Sequence, residues 1–250
     1  MKTRVWGQAT SVRRPREASS HAGEAILAAI VPTDVETVEA FGDTAAVLLG
    51  TEKAAAAVMA RRRRQEFATG RACAHRALQR LGHDPCPVPV GPSREPRWPT
   101  GVVGSITHCA GYRAAAVADA RRYRAVGIDA EPHEPLPAGV EATIARPEEI
   151  RMLRRISLDV PDICWDRLLF SAKESAFKAW FPLTRRWLSF EDASICISPE
   201  DGSFTTNLLS GPNVDTNGSP LGAFAGRWRV ARQMIATCIV VPAHGAPDRV

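Results

Sequence analysis

Two stretches of the chain put carboxylates where chemistry could use them. The first is Val126-Gly127-Ile128-Asp129-Ala130-Glu131-Pro132. On a strand, residues two apart share a face, so Asp129 and Glu131 project side by side while Ile128 and Ala130 point the other way. Adjacent like charges are costly unless a cation sits between them. Hard oxygen ligands at this spacing suit Mg²⁺ or Mn²⁺, which keep waters and take substrate phosphate oxygens as further ligands. Two solvated acids at a strand end would look the same, so the dipeptide does not decide alone.

The second stretch is a helix expected over Trp165–Phe181. Trp165, Leu168, Leu169, Ala172, Ala176, Ala179 and Trp180 form one apolar stripe at 100° per residue. Glu174 falls nearly opposite that stripe, with Lys178 one turn on. An i, i+4 Glu–Lys pair is ordinarily a surface stabiliser. Here Phe170, Phe177 and Phe181 flank Glu174, so the second face is apolar too and the helix must lie between two layers. A metal ligand or general base at Glu174, with Lys178 holding an anionic oxygen, explains a charged pair in that setting.

Four arginines, Arg61–Arg64, stand together on a helix expected from about Glu52 to Leu81 and ended by Gly82. Consecutive helical residues point in different directions, so they cannot all serve one groove. Relative to the core stripe Phe67, Ala74, Leu78 and Leu81, Arg63 and Arg71 flank the buried edge from opposite sides. Both can reach a ligand in a cleft, where guanidinium groups bind phosphate bidentately. Gly104-Ser105-Ile106-Thr107-His108-Cys109 ends a strand and enters a small-residue turn. Ser105 and Thr107 share one face; His108, on the other, reads either as a structural hydrogen-bond donor or as a donor to phosphate. No Gly-x-Ser-x-Gly elbow makes the Ser–His pair a hydrolase.

The elements that must carry these residues follow from patterning. Strands are expected at Val35–Leu49 (broken at Gly42-Asp43), Val102–Thr107, Arg113–Ala118 and Arg124–Ala130. In the second half, helices over Ala145–Ile156 and Trp165–Phe181 precede strands at Ala193–Ser198, Phe204–Leu209, Ala223–Val230 and Met234–Val241. Turn residues between those last strands suggest an antiparallel meander. Apolar residues make up 45% of the 250, enough for a core. The net charge of +5 favours an anionic partner. Six scattered cysteines with no Cys-x-x-Cys pair argue against a zinc knuckle and for reduced thiols in the cytoplasm. No apolar run approaches a membrane span.

Three of these segments, in order and in register, resemble the 4′-phosphopantetheinyl transferases of the monomeric, two-half type, especially the actinobacterial members. Gly104–Tyr112 resembles their histidine-bearing strand and Val126–Pro132 their Gly-Ile-Asp-x-Glu strand. Phe170–Trp180 resembles their Lys-Glu-(x)₃-Lys helix. The resemblance runs from about Arg62 to Val241. It implies an α+β fold: a pseudo-twofold pair of similar α/β halves, each a mostly antiparallel sheet packed on a long helix, with the active site between them. The expected divisions are a flexible tail over 1–22, an N-terminal half over 23–122 and a C-terminal half over 123–250.

The resemblance further implies that Asp129, Glu131 and Glu174 hold a Mg²⁺ (with Mn²⁺ as the alternative) bridging the coenzyme A pyrophosphate. Glu174 would help deprotonate the carrier serine and Lys178 would steady the β-phosphate or the leaving oxygen. Lys173, His108, Arg63 and Arg71 would face the coenzyme's phosphates, and Ser105 and Thr107 would line the nucleotide pocket. The product would be a carrier protein bearing the phosphopantetheine arm, with 3′,5′-ADP released. The expected partners are coenzyme A and apo acyl- or peptidyl-carrier proteins of fatty-acid, polyketide and peptide synthases, docking around Leu136–Ile163 near Arg146, Arg151 and Arg154. Neither nucleic acid nor membrane is expected as a partner, and the protein should be a monomer. One departure stands out: where the family often has a lysine before a glycine, this chain has Val90-Gly91, so either Arg94 substitutes or coenzyme A is held more weakly or differently. The rival readings are a metal-dependent phosphoanhydride hydrolase using the same acids and a basic nucleic-acid-binding protein. The latter leaves the acids unexplained and lacks a stacking platform.

Overall fold

In the computed structural model, which describes residues 25–209 and 213–243, each sheet is wound on one long helix. The expected N-terminal tail, 1–22, lies outside the described residues. Strand β1 (Glu36–Phe41) is followed by helices α1 (Thr51–Ala57) and α2 (Arg61–Arg80), and then by strands β2 (Val102–Cys109) and β3 (Tyr112–Asp119). Gly111, at φ +73°, closes the two-residue turn that pairs Cys109 with Tyr112 and sets the β2–β3 register. The sheet order is β1-β3-β2, antiparallel throughout. β3 is buried on both faces, and its period-2 alternation sorts it into two cores. Ala115 and Val117 join Ala74, Ala77 and Leu78 of α2; Tyr112, Ala114, Ala116 and Ala118 join Val126, Ile128 and Ala236 of the other half.

The second half begins with β4 (Tyr123–Pro132) and continues through α3 (Val140–Ile144), α4 (Pro147–Asp159) and α5 (Trp165–Thr184). It ends in β5 (Ala193–Ser198), β6 (Ser203–Leu208), β7 (Phe224–Ala231) and β8 (Met234–Pro242). Its order, β4-β8-β7-β6-β5, repeats the logic of the first sheet: the first strand pairs with the last, and the last with the one before it. β5 and β6 extend the repeat. The sequence expectation of an antiparallel meander corresponds to β5 through β8. Among the described residues no helix is long and apolar enough to cross a membrane, and all six cysteines are free.

Several elements differ from the sequence expectation. The strand expected over Val35–Leu49 stops at Phe41, and the helix expected over Ala145–Ile156 runs from Pro147 to Asp159. Two longer helices differ as well. The expected Glu52–Leu81 helix is broken at 58–60, with Ala60 extended at ψ 152°. The alanine-rich run favours continuity, but Glu52 is fully buried and bonded to residues far along the chain, and that tertiary demand turns α1 back against α2. α5 continues past Phe181 through Pro182 to Thr184, ending where Arg185 adopts the left-handed conformation.

The two halves meet along β2 and β4. Ser105 Oγ accepts the Ile128 N–H at 3.2 Å and Thr107 Oγ1 accepts the Ala130 N–H at 3.1 Å. Both pairings advance together along the two chains, so β4 runs parallel to β2 through side-chain rather than backbone acceptors. On β4's other flank, α5 lies almost in contact with the backbone at Gly127. A Cβ there would sit 2.1 Å from Ser175 O and 2.6 Å from Ala179 N. Backbone atoms cannot swing aside, so Gly127→Ala must push α5 off β4. The expected result is a loss of about 3 kcal/mol, the upper range for overpacking. A melting temperature lowered by roughly 10 °C in calorimetry checks it.

Candidate active site

Asp129, Glu131, Glu174 and Lys178 owe their meeting to that close approach. Along α5, Arg167, Ser171, Glu174 and Lys178 recur at spacings of four, three and four, which places them on one helix face. That face crosses the edge of β4 from which Asp129 and Glu131 project. Asp129, 4% exposed, is held by three donors. Its Oδ1 accepts from Lys178 Nζ at 2.6 Å and from Thr107 Oγ1 at 3.1 Å; its Oδ2 accepts from Ser171 Oγ at 2.9 Å. Glu131 Oε2 accepts from Arg167 Nη1 at 3.0 Å. Burial, then the neighbouring Asp129, pushes the Glu131 carboxyl up to about 7, with Arg167 and Lys178 pulling the other way. Glu174 is also raised, by burial first and by Asp129, against the pull of Lys178. All three carboxylates therefore act on one shared ammonium.

Among the described residues no group of three or more His, Cys, Asp or Glu side chains forms a ready metal cage. Lys178, Thr107 and Ser171 occupy the oxygens of Asp129, and Arg167 holds Glu131. The donor chemistry still fits a hard divalent cation, because buried carboxylates that repel one another are what such an ion stabilises.

Glu174 and Lys178 line a cavity of about 630 Å³ with Phe177, Phe181, Ser105 and Arg185. A second, smaller recess of about 150 Å³ adjoins it, the two sharing Arg94, Pro96 and Ile106. Its walls carry Arg63, Arg71, Arg94 and His108, four nitrogen-bearing side chains around a space of anion size. Arg71 is 5% exposed and stacks on the Phe67 ring at 4.5 Å; its buried Nε has no hydrogen-bond partner, and burial lowers its pKa to about 10. His108 is exposed at the recess, and its Nε2 accepts from Arg63 Nη1, since a guanidinium can only donate. Val90 and Arg94 both line the recess, and Arg94, at φ +69°, sits in the tight turn between the paired residues Val90 and Pro96.

The expected site residues thus divide. Asp129, Glu131, Glu174 and Lys178 come together, as do Arg63, Arg71 and His108. Lys173 does not join either group. At 100° from Glu174 around the helix, its ammonium is turned into the core, where it meets Glu149 at 2.8 Å and donates to Phe190 O and Ala193 O. Thr107 does not line the cavity; it fixes Asp129 and ties β2 to β4, and only Ser105 of that pair reaches the wall. Sequence reasoning missed Arg167 and Ser171. Their signal was available in the 4-3-4 spacing that ends in Glu174 and Lys178.

The chain matches models of known families over most of its length. The 4′-phosphopantetheinyl transferase N-terminal domain matches residues 51–118, and the 4′-phosphopantetheinyl transferase superfamily matches residues 125–231. It is 46% identical over 222 residues to the 4′-phosphopantetheinyl transferase Svp of Streptomyces mobaraensis, covering 87% of this chain and 90% of that one. It is 43% identical over 220 residues to the 4′-phosphopantetheinyl transferase PptT of Mycobacterium tuberculosis, covering 86% and 96%. With the 4′-phosphopantetheinyl transferase Npt of Nocardia iowensis it shares 46% identity over 185 residues, covering 71% and 82%.

Proposed function

The chain belongs to the 4′-phosphopantetheinyl transferase superfamily, and on that premise we propose how its residues divide the work of transfer. It is an enzyme that moves the phosphopantetheine arm of coenzyme A onto carrier proteins. The observation that carries the assignment of roles is the adjacency of the two recesses, which share Arg94, Pro96 and Ile106; one is lined by Glu174 and Lys178, the other by Arg63, Arg71 and Arg94 with Glu66 beside Arg63. The adenosine 3′-phosphate sits in the small recess, held by Arg63, Arg71 and Arg94, with His108 beside Arg63. The pyrophosphate then reaches the large cavity beneath α5.

There the hydroxyl of a carrier serine gives its proton to Glu174, whose carboxyl is raised above its ordinary value by burial, which makes it a stronger base. The serine oxygen forms a bond to the β-phosphorus, the pyrophosphate P–O bond breaks, and 3′,5′-ADP leaves with the electron pair. Lys178 meets the charge gathering on the leaving oxygen. Asp129, Glu131 and Glu174 are the residues that would hold Mg²⁺, with Mn²⁺ as the alternative, and such an ion supplies charge stabilisation to the transferring phosphoryl group. Thr107 and Ser171 keep Asp129 aimed.

The test is intact-mass spectrometry of an apo-carrier protein incubated with the enzyme, coenzyme A and Mg²⁺. A gain of about 340 Da, the mass of one arm covalently attached to serine, is expected. Breakdown of coenzyme A without carrier, and with no gain on any carrier, would instead establish the hydrolase.

The protein is a cytoplasmic monomer in this proposal, and its carrier docks on the exposed side of α4. Arg146 is engaged there by Glu148 and by Glu191 O, whereas Arg151 and Arg154 are exposed beside Leu158, which is 84% accessible. A basic face with an apolar contact complements an acidic carrier helix. The double charge reversal Arg151→Glu/Arg154→Glu should raise KM for the carrier about ten-fold, as loss of rim charge does, with KM for coenzyme A unchanged. An unchanged carrier KM would place docking elsewhere.

A further inference from the structure

Glu52 is fully buried on the short helix α1, outside both recesses, and its carboxylate accepts three hydrogen bonds. Oε1 accepts from the Val88 N–H at 2.7 Å and from His75 Nε2 at 2.8 Å, and lies 3.9 Å from the otherwise unpartnered Arg71 Nε. Oε2 accepts from the Leu49 N–H at 2.8 Å. Two of these partners lead to the lining of the small recess. Arg71 is part of it, and Val88 begins the connection that carries Val90, Arg94 and Pro96, which are part of it too. A carboxylate this deep is retained only where its partners repay its desolvation.

We infer that Glu52 is a positioning residue for phosphate binding, holding Arg71 and the 88–96 connection at the spacing the anion requires. The inference rests on the proposed seating of the coenzyme's 3′-phosphate in the small recess. Only a carboxylate fills this role, because both of its oxygens accept. In Glu52→Gln the amide has one accepting oxygen, so its NH₂ must face either the Leu49 N–H or the Val88 N–H, donor against donor. One anchor is lost and a wall shifts. Charge alone predicts the opposite: neutralising a carboxylate 3.9 Å from Arg71 leaves that cation more attractive to an anion. The two effects differ in sign, so binding separates them.

The experiment is calorimetric titration of 3′,5′-ADP and of 5′-AMP into the full chain as wild type, Glu52→Gln and Val38→Ala. Val38 packs in the same core as α2 without touching the recess, so its variant controls for lost stability. Glu52→Gln should lose about ten-fold in affinity for 3′,5′-ADP, the worth of one hydrogen bond to a charged group, and nothing for 5′-AMP. Val38→Ala should melt lower yet keep the wild-type ratio. An unchanged ratio in Glu52→Gln, or tighter 3′,5′-ADP binding, overturns the inference, as does a wild type that does not prefer 3′,5′-ADP. A wild type that shows the preference and the Glu52 effect but modifies no carrier would refute the transfer mechanism and leave this inference standing.

Discussion

Glu174→Gln should slow transfer about a thousand-fold, within the range for removing a general base, while making the metal-free protein more stable at neutral pH. The two halves of that result have one origin. Burial, and then Asp129, raise the Glu174 carboxyl above its ordinary value, so the folded state disfavours its charge. For an acid raised on folding, the native state binds the proton more tightly than the unfolded one. The resulting penalty is absent below the unfolded pKa and fully present above the folded pKa. Replacing the acid by its neutral isostere removes the penalty. The melting temperature of the variant, with chelator present, should therefore exceed the wild type's at pH 8 and match it near pH 4. Glutamine keeps the shape beside Phe177 and Lys178 but accepts no proton, so kcat falls without loss of fold. Equal melting curves at both pH values would mean that Glu174 is not strained by its surroundings, and near-wild-type transfer would remove it from the proton path.

The same contrast between local pattern and distant partner explains how much was legible in the sequence. Asp129 and Glu131 could be placed on one face because a strand alternates whatever lies beside it, and β4 does so. Glu174 and Lys178 could be placed because helical spacing is equally local. The break between α1 and α2 was not legible, since it answers to Glu52 reaching His75 and Val88, positions 23 and 36 residues away. Thr107 was placed on the correct face of β2 but given a ligand, because nothing in its neighbourhood reveals that β4 offers an unpaired Ala130 N–H beside it. The residues proposed to touch the reacting groups obeyed periodicity. Residues that hold those groups still depended on contacts between elements far apart in the chain.

Lys173 is the sharpest instance, and it carries the second large effect. Its motif position beside Glu174 suggested a phosphate contact, yet its side chain is 2% exposed against a Glu149 that is 0% exposed. Glu149 also caps α4 by accepting the Arg146 N–H at 2.7 Å and takes the Ile195 N–H of β5 at 2.7 Å. The pair therefore clasps α5, α4 and β5 around one point in the second core. Removing either partner strands a charge where water cannot reach it, which costs about 3–5 kcal/mol. Glu149→Ala should lower the melting temperature by roughly 10 °C or more for a chain of this size. It leaves the Lys173 ammonium with only the Phe190 and Ala193 carbonyls and frees two backbone donors. Lys173→Met should destabilise comparably, and the double variant Lys173→Met/Glu149→Leu less than the sum, because each single change includes the cost of the abandoned partner. Transfer per folded molecule of Lys173→Met, measured well below its melting temperature, should keep the wild-type KM for coenzyme A. A KM raised ten-fold or more with stability intact would return Lys173 to the phosphates and contradict its place in the core.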